Sequence, residues 1–379
     1  IVLIIAYLLP VFWISNKMGA GFFPHFMLAD EVARIADLES QYGFVKNSAA
    51  DLKTVPKGLA GITKAHSSVN ATPWAFISLA VCMMAGTASL PHVMMRYFTT
   101  PSVKSARRSV GWSLFFIFLL YSSAPMLATL SKLSLMDPNL TTGIIGKSIS
   151  EVQNIDWYQN WNQANLMFIS DFNNNGTLEL NEFFMGGKAV VLATPEIAGL
   201  PYVISGLVAA GGMAAAMSTA DGLVLAIANA LSHDLYYKII DPKADTAKRL
   251  IVARVLLVII GFAGATIAAM EIQGILGSVI WAFDFAMSGL FFPLVLGVWW
   301  KRANSQGAVA GMLLGLISGT AYLIWVRNGG AGFWGVTQLT FGIVGSLVSL
   351  VSMVVVSLMT AEPDAAKINP ILEPHCSRF

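Results

Sequence analysis

The sequence predicts an all-α polytopic membrane protein with about eight transmembrane helices, and three observations carry that prediction. Of 379 residues, 56% are hydrophobic and only 12% charged, where a soluble domain carries about 25% charged residues. The mean hydropathy is +0.67. Apolar runs of about the 20 residues that a spanning helix needs recur along the chain. The short loops between these runs alternate between basic and non-basic, as loops on opposite sides of a membrane do. Strands of a spanning β-barrel alternate in polarity over about 10 residues, and Ser109–Leu130 is far too long and continuous for that. This composition excludes an ordinary cytosolic enzyme and a disordered tail. The net charge of +2 excludes phosphate-backbone recognition, so no nucleic-acid partner is expected. Cys82 and Cys376 are too far apart in type of environment to suggest a disulfide framework or a metal cluster. The chain opens at Ile1 inside an apolar run without a basic head, so it reads as a piece of a longer membrane protein cut on its N-terminal side.

The eight expected spans are 1–15, 73–95, 109–131, 200–233, 250–270, 275–299, 307–326 and 337–360. They form one transmembrane domain, 1–360, followed by a tail, 361–379. Lys104, Arg107 and Arg108 make one connection basic; Lys238, Lys243, Lys248 and Arg249 another; Lys301 and Arg302 a third. The opposite short connections hold only Arg327. The basic set is expected in the cytoplasm, together with the C-terminal tail, in a cell (inner or plasma) membrane. The long loops 16–72 and 132–199 then face outside, the first with an amphipathic stretch around Ala29–Leu38.

Charges inside the spans are few, which makes them informative. Arg254 lies near a cytoplasmic end and can snorkel to the interface. Asp221 cannot do so as readily, lying roughly 15 Å of helical rise from Leu231. Ser218 is three residues before it, on the same face, and Thr219 is adjacent. An acid and two hydroxyls among small residues make an oxygen-rich patch suited to a hard cation such as sodium. Small-residue helix packing explains the surrounding alanines and glycines but not the acid.

The second span is interrupted by Gly86-Thr-Ala-Ser-Leu-Pro91. Pro91 removes a backbone donor, and Gly86 is expected to loosen the turn before it. Broken helices of this kind expose backbone groups to an ion or substrate at mid-membrane, and a plain proline kink is the alternative. Asp284 lies roughly 14 Å of rise from Ile275, near the midplane, with Trp281 and Ser288 on its face. It reads either as a substrate, proton or gating site or as a structural hydrogen bond to a neighbouring helix.

In the second long loop, Asp171 to Glu182 fits the calcium pattern D-x-[DN]-x-[DN]-G-x5-E at every specified position. Asp171, Asn173 and Asn175 stand at positions one, three and five, the Thr177 carbonyl at seven, Glu179 at nine, and Glu182 as the bidentate ligand. Two asparagines lower the charge, so weak, extracellular-type affinity is expected. The competing reading is an Asn/Gly-rich turn. The tripeptides at Asn70, Asn139 and Asn175 match the glycosylation pattern, which is common. The five histidines show no metal-ligand spacing, and no G-x-S-x-G, P-loop or H-E-x-x-H is present, so no enzymatic activity is expected.

Two stretches carry a family resemblance. Gly206–Leu223, continuing through Leu231–Tyr237, resembles the signature helix of the sodium:solute symporter family. Gly86–Thr99 looks like the corresponding stretch of its acetate-permease-like, monocarboxylate branch. The resemblance implies the C-terminal part of a five-plus-five inverted-repeat (LeuT-like) transporter fold. The segment 1–15 would be the fifth core helix, with the N-terminal helices of the same protein upstream. It also implies a sodium site built from the Ala215 carbonyl, Ser218 and Thr219. Asp221 falls where some members have a hydroxyl of a second sodium site, so it would bind sodium directly or carry a proton. The implied activity is sodium-coupled import of a small organic anion by alternating access. The substrate residues would be Gly86, Thr87, Ser89, Pro91, Trp281 and Asp284. The competing readings are the sensory input module of a larger signalling protein, a channel, and uptake of another solute such as an amino acid.

Overall fold

Hydrocarbon offers no hydrogen bonds, so a chain that crosses a bilayer must satisfy its own backbone, which a helix does. The computed structural model describes residues 2–18, 28–41, 73–140, 142–270 and 274–363 and is helical nearly throughout. Most of the 16–72 connection, the Asn70 tripeptide, Thr141 and nearly all of the 361–379 tail with Cys376 lie outside the described residues. The helices and strands fall in two compact units: Ile1–Ala65 with Ser102–Thr219, and His66–Pro101 with Ala220–Phe379.

The first unit is built on the long helix α5 (Val103–Met136), which starts at Ser102, whose hydroxyl accepts from the Ser105 amide at 3.1 Å. Its first half presents Trp112, Phe115 and Phe118 outward, the surface that lipid takes in place of a protein core. Its second half is buried. Met126, Leu127 and Leu130 pack with Val11 and Ile14 of α1 (Val2–Lys17) and with Ala198 after α8 (Val190–Ile197). Leu133, Leu135 and Met136 enter a second core. There they meet Ile35 and Leu38 of α2 (Leu28–Gln41) and residues of the segment that follows α5. That segment carries α6 (Ile149–Gln153), α7 (Asp156–Gln163) and a two-stranded antiparallel sheet. In the sheet, β1 (Met167–Ile169) pairs with β2 (Phe183–Met185) in the register Met167↔Met185.

The amphipathic stretch expected at 29–38 is thus α2, and two ion pairs fasten it: Arg34 to Asp137, and Glu39 to the wholly buried Lys132. A buried ammonium is tolerated only with such partners. In the same helix, burial pushes the Glu31 carboxyl up, against the pull of Arg34.

The second unit holds α3 (Pro73–Ser89), α4 (Pro91–Met94) with a tighter turn over Met95–Thr99, and the end of α9 (Tyr202–Asn229), which runs in from the first unit. Wider π-type turns cover Ala230–Ile240. Then come α10 (Thr246–Ala269), α11 (Ile275–Ala286), a second π-type segment at Met287–Phe291, α12 (Phe292–Trp299), α13 (Ser305–Arg327) and α14 (Gly342–Met359). Between Ile240 and α10, Lys248 donates to Asp241 at 2.8 Å and holds that carboxyl below its usual range. The helix α10, charged at its start by Lys248, Arg249 and Arg254, buries no residue and is apolar on every side beyond Arg254 apart from Thr266.

Against the expected count of about eight spans, the described residues contain six helices long and apolar enough to cross a membrane and two shorter apolar ones, Ile4–Lys17 and Trp74–Ser89. The second is short because the expected span 73–95 is cut at Leu90–Pro91.

Gly307, Gly311, Gly315 and Gly319 recur every fourth residue and are the buried stripe of α13. A Cβ at Gly311 would lie 3.0 Å from the Met353 Cβ, and one at Gly315 would overlap the Ser288 carbonyl and the Ser349 side chain. Small residues let helices approach where no hydrophobic force drives them together. A Gly315→Ala substitution is therefore expected to lower the melting temperature of the detergent-solubilised protein, at a cost of about 1–3 kcal/mol. Gly297→Ala, where a Cβ meets nothing within 4 Å, is expected to leave it unchanged or raise it.

Candidate functional site

The residues singled out for ion binding lie on α9, an uninterrupted α-helix from Tyr202 to Asn229. The Thr219 hydroxyl lies 3.2 Å from the Ala215 carbonyl and donates to it, the back-bond that serine and threonine make inside helices. Two candidate oxygen ligands are therefore already adjacent. Ser218 is the preceding residue, and its side chain is exposed. Asp221, also exposed, makes no ion pair among the described residues.

Next along α9, Gly222 approaches the second half of the broken span. A Cβ there would lie 3.5 Å from an Arg96 guanidinium nitrogen and 3.8 Å from His92. Arg96 is the residue that sequence reasoning passed over. It stands five positions beyond Pro91, and only the turn at Met95–Thr99 brings it against the helix that carries Asp221.

The break itself is sharper than the sequence suggested. Gly86 sits inside α3, where a Cβ would lie 2.6 Å from the Phe283 carbonyl. Its role is close approach to α11, not loosening of the turn. The interruption falls at Leu90, whose extended backbone (φ −69°, ψ 120°) precedes Pro91. Pro91 lacks the amide that would close the preceding turn. The Thr87 carbonyl, which that amide would have reached, accepts from the Leu90 amide at 3.4 Å instead. The Ser89 hydroxyl, its proton shared, lies 2.8 Å from the Ala85 carbonyl and 3.0 Å from the Gly86 carbonyl that Leu90 leaves. Thr87 donates to Met83 at 2.6 Å. A new helix then starts from the Leu90 carbonyl, which accepts from Val93 and Met94.

Asp284 is fully buried, and neither carboxyl oxygen has a hydrogen-bond partner of normal geometry. The carboxyl faces the start of α14, with the Phe341 and Gly342 amides nearest. A Cβ at Gly342 would lie 2.8 Å from Asp284 Oδ1. Helix N-termini attract negative charge, which favours an acid at this place. Beside it, the buried Cys82 directs its thiol to the Thr340 carbonyl at 3.7 Å. Ser288 closes the next turn by donating to the Asp284 carbonyl at 2.7 Å. Trp281 turns elsewhere. Its indole donates to the Gln338 carbonyl at 2.9 Å, and the Arg327 guanidinium stacks over its ring at 5.4 Å. The structure thus brings Gly86 and the Asp284 segment together at the contact of α3 with α11, and seats Trp281 with Tyr322 and Phe341.

The 171–182 loop is folded on itself between β1 and β2. Asp171 Oδ2 accepts from the Gly176 amide at 3.1 Å, and Asn173 and Asn175 accept from residues two further on. Glu182 accepts from the Phe172 amide at 3.1 Å and the Glu179 amide at 3.0 Å. Gly176 takes a left-handed φ of +71°, which glycine adopts without strain. Among the described residues no group of three His, Cys, Asp or Glu side chains converges as a metal cluster.

Residues 188–315 match the model of the Sodium:solute symporter family. Over these residues the chain is similar to that family. That span includes the α9 patch, Trp281 and Asp284 but neither the Gly86–Pro91 break nor the 171–182 loop. A Cupriavidus necator protein described as an uncharacterized symporter is 41% identical over 295 residues, covering 75% of this chain and 42% of that protein. A monocarboxylic acid transporter of Corynebacterium glutamicum is 27% identical over 245 residues, covering 64% of this chain and 37% of that protein. The chain therefore spans less than half the length of these relatives. Among solved structures, the substrate-bound outward-open state of a Na+-coupled sialic acid symporter superposes with a TM-score of 0.54 at 17% identity, over 96% of this chain and 61% of that one. The chain thus has the LeuT-like fold expected from the sequence; the structural neighbour is itself a transporter.

The junction around Asp284 makes a direct prediction. In a Cys376→Ser background, Cys82 of the folded protein resists N-ethylmaleimide, and an Asp284→Ala change speeds its labelling. Mass spectrometry of the 73–95 peptide checks this. Labelling of Cys82 at the rate of an exposed thiol would contradict the packing described.

Proposed function

We propose that this protein is a sodium-coupled symporter of the cell membrane that imports a small organic anion, a short monocarboxylate such as acetate, by alternating access. The observation that carries the reading is the oxygen patch on α9. The Ala215 carbonyl and Thr219 hydroxyl are 3.2 Å apart, Ser218 is adjacent, and Asp221 follows within one turn. An acid and hydroxyls of this kind serve a hard cation. They lie within the family-matched residues. The monocarboxylate class rests on the Gly86–Thr99 resemblance and on the name of the Corynebacterium relative.

In this reading Ser218, Thr219 and the Ala215 carbonyl hold sodium, and Asp221 supplies negative charge to it. One sodium moving with one monocarboxylate carries no net charge, so the sodium concentration gradient drives 1:1 uptake; each further sodium would add about 2.3 kcal/mol per 100 mV. The interrupted segment Gly86–Pro91, with Thr87 and Ser89, borders the substrate. A carboxylate substrate is repelled by an ionised acid, so Asp284 acts on α14 and not on the substrate. The basic loops around Lys104–Arg108, Lys238–Arg249 and Lys301–Arg302 face the cytoplasm, as does the C-terminus.

The test is uptake of labelled acetate, propionate, lactate, pyruvate and proline by cells producing the protein, with sodium varied at constant ionic strength. Sodium-dependent uptake of at least one short monocarboxylate is expected. Thr219→Val, Ser218→Ala and Asp221→Asn should each raise the sodium concentration for half-maximal uptake about tenfold or more, which is about 1.4 kcal/mol of lost ion binding. Surface abundance should stay unchanged. Uptake indifferent to sodium, or unaltered sodium activation in all three variants, overturns the assignment.

A further inference from the structure

A carboxylate taken out of water needs a cation or a full set of donors. Glu182 is completely buried. It makes no ion pair among the described residues, and only two backbone amides reach it. A carboxylate offers about four lone-pair sites, so each Glu182 oxygen keeps acceptor capacity. Asp171 repeats the pattern: Oδ2 is engaged with Gly176, but Oδ1 is buried without any partner. Two acids with unspent buried oxygens thus face the interior of one 12-residue loop.

The rest of the loop supplies what a hard cation would add to them. Asn173 and Asn175 bring side-chain amides, both of which donate to Glu179 Oε1, at 2.8 and 3.0 Å. They draw Glu179 to the same side of the loop. The loop is also anchored from outside. Leu178 is buried, its amide donates to the Lys147 carbonyl at 2.8 Å, and its carbonyl accepts from the Gly146 amide at 2.8 Å. The Ile149 amide donates to the Gly176 carbonyl at 2.9 Å. This ladder uses the carbonyls on either side of Thr177 and passes over that of Thr177 itself, the position-seven ligand of a calcium loop.

We propose that residues 171–182 bind one calcium ion, ligated by Asp171, Asn173, Asn175, the Thr177 carbonyl and Glu182, with Glu179 directly or through water. Oxygen donors from carboxylates, amides and a carbonyl on a flexible loop suit calcium, whereas magnesium demands a tighter octahedron and gives up its water reluctantly. The ion ties the end of β1, at Asp171, to the start of β2, at Glu182. Leu178, Leu180 and Phe183 of this region are buried in the core that also holds Ile35 and Met136. Calcium therefore stiffens that core, and sodium coupling does not depend on it.

The test uses the purified full chain in detergent, stripped of divalent ions. Calorimetric titration with calcium chloride should give one site with a Kd on the order of 10⁻⁴–10⁻³ M. Magnesium chloride should bind at least about tenfold more weakly, and calcium should raise the melting temperature. Asp171→Asn and Glu182→Gln should each weaken binding about tenfold or more. The exposed Asn173→Ala serves the same purpose if Glu182→Gln does not fold. No saturable calcium signal from the wild-type chain at about 10 mM, equal binding of magnesium, or wild-type affinity in the folded variants overturns the proposal. Sodium-dependent uptake by Asp171→Asn is expected to match wild type, which keeps this test separate from the transport reading.

Discussion

A backbone amide or carbonyl left unpaired in hydrocarbon costs several kcal/mol, and the departures from straight helix in this chain are shaped by that cost. At Leu90–Pro91 the helix breaks, and the Ser89 hydroxyl takes over the carbonyls of Ala85 and Gly86. At Met287–Phe291 the turn widens, and Ser288 bonds the Asp284 carbonyl. At the start of α14, where helix amides lack intrahelical partners, the Asp284 carboxyl is nearest. At the first two of these places a serine hydroxyl bonds the backbone carbonyls beside the irregularity; at the third a buried carboxyl stands close to the amides without a bond of normal geometry. Irregular backbone at membrane depth survives only where protein or a cavity supports it, which is why such places are natural ground for ion and substrate sites.

Glycine and serine do the complementary work of holding helices together. Gly86 admits the Phe283 backbone, Gly315 the Ser288 backbone, and Gly342 the Asp284 carboxyl. In lipid these contacts gain from van der Waals packing at short range, since apolar side chains have no water to escape. The polar loop region between α5 and α9 follows different rules. It buries Ile35, Met136, Leu178 and Phe183 as a soluble domain does, and it fastens α2 with the Lys132–Glu39 and Arg34–Asp137 pairs.

Much of this was legible in the residues. Runs of apolar residues gave away the spans because a membrane imposes a length on them. Asp221 and Asp284 stood out because acids inside such runs are expensive. The pattern at 171–182 could be written down from sequence because all its positions are local. What the sequence did not disclose depends on contacts between distant segments. Gly86 looked like a hinge, and only its approach to Phe283 identifies it as a packing residue. Trp281 shares a helical face with Asp284 on paper, yet its indole bonds the Gln338 carbonyl. Arg96 reads as an ordinary loop charge until the turn at Met95–Thr99 sets it against Gly222. No spacing rule within one helix encodes those meetings.

In the proposed transport cycle, movement of solute and sodium is one event. Its most direct measurement is sodium entry into sealed vesicles that contain the purified protein and no sodium gradient, driven by an inward gradient of the transported monocarboxylate. Coupling predicts that labelled sodium accumulates transiently against its own equilibrium, in fixed proportion to the solute taken up, and that Thr219→Val abolishes the accumulation. Solute entry with no accompanying sodium, at any solute gradient, would contradict the account.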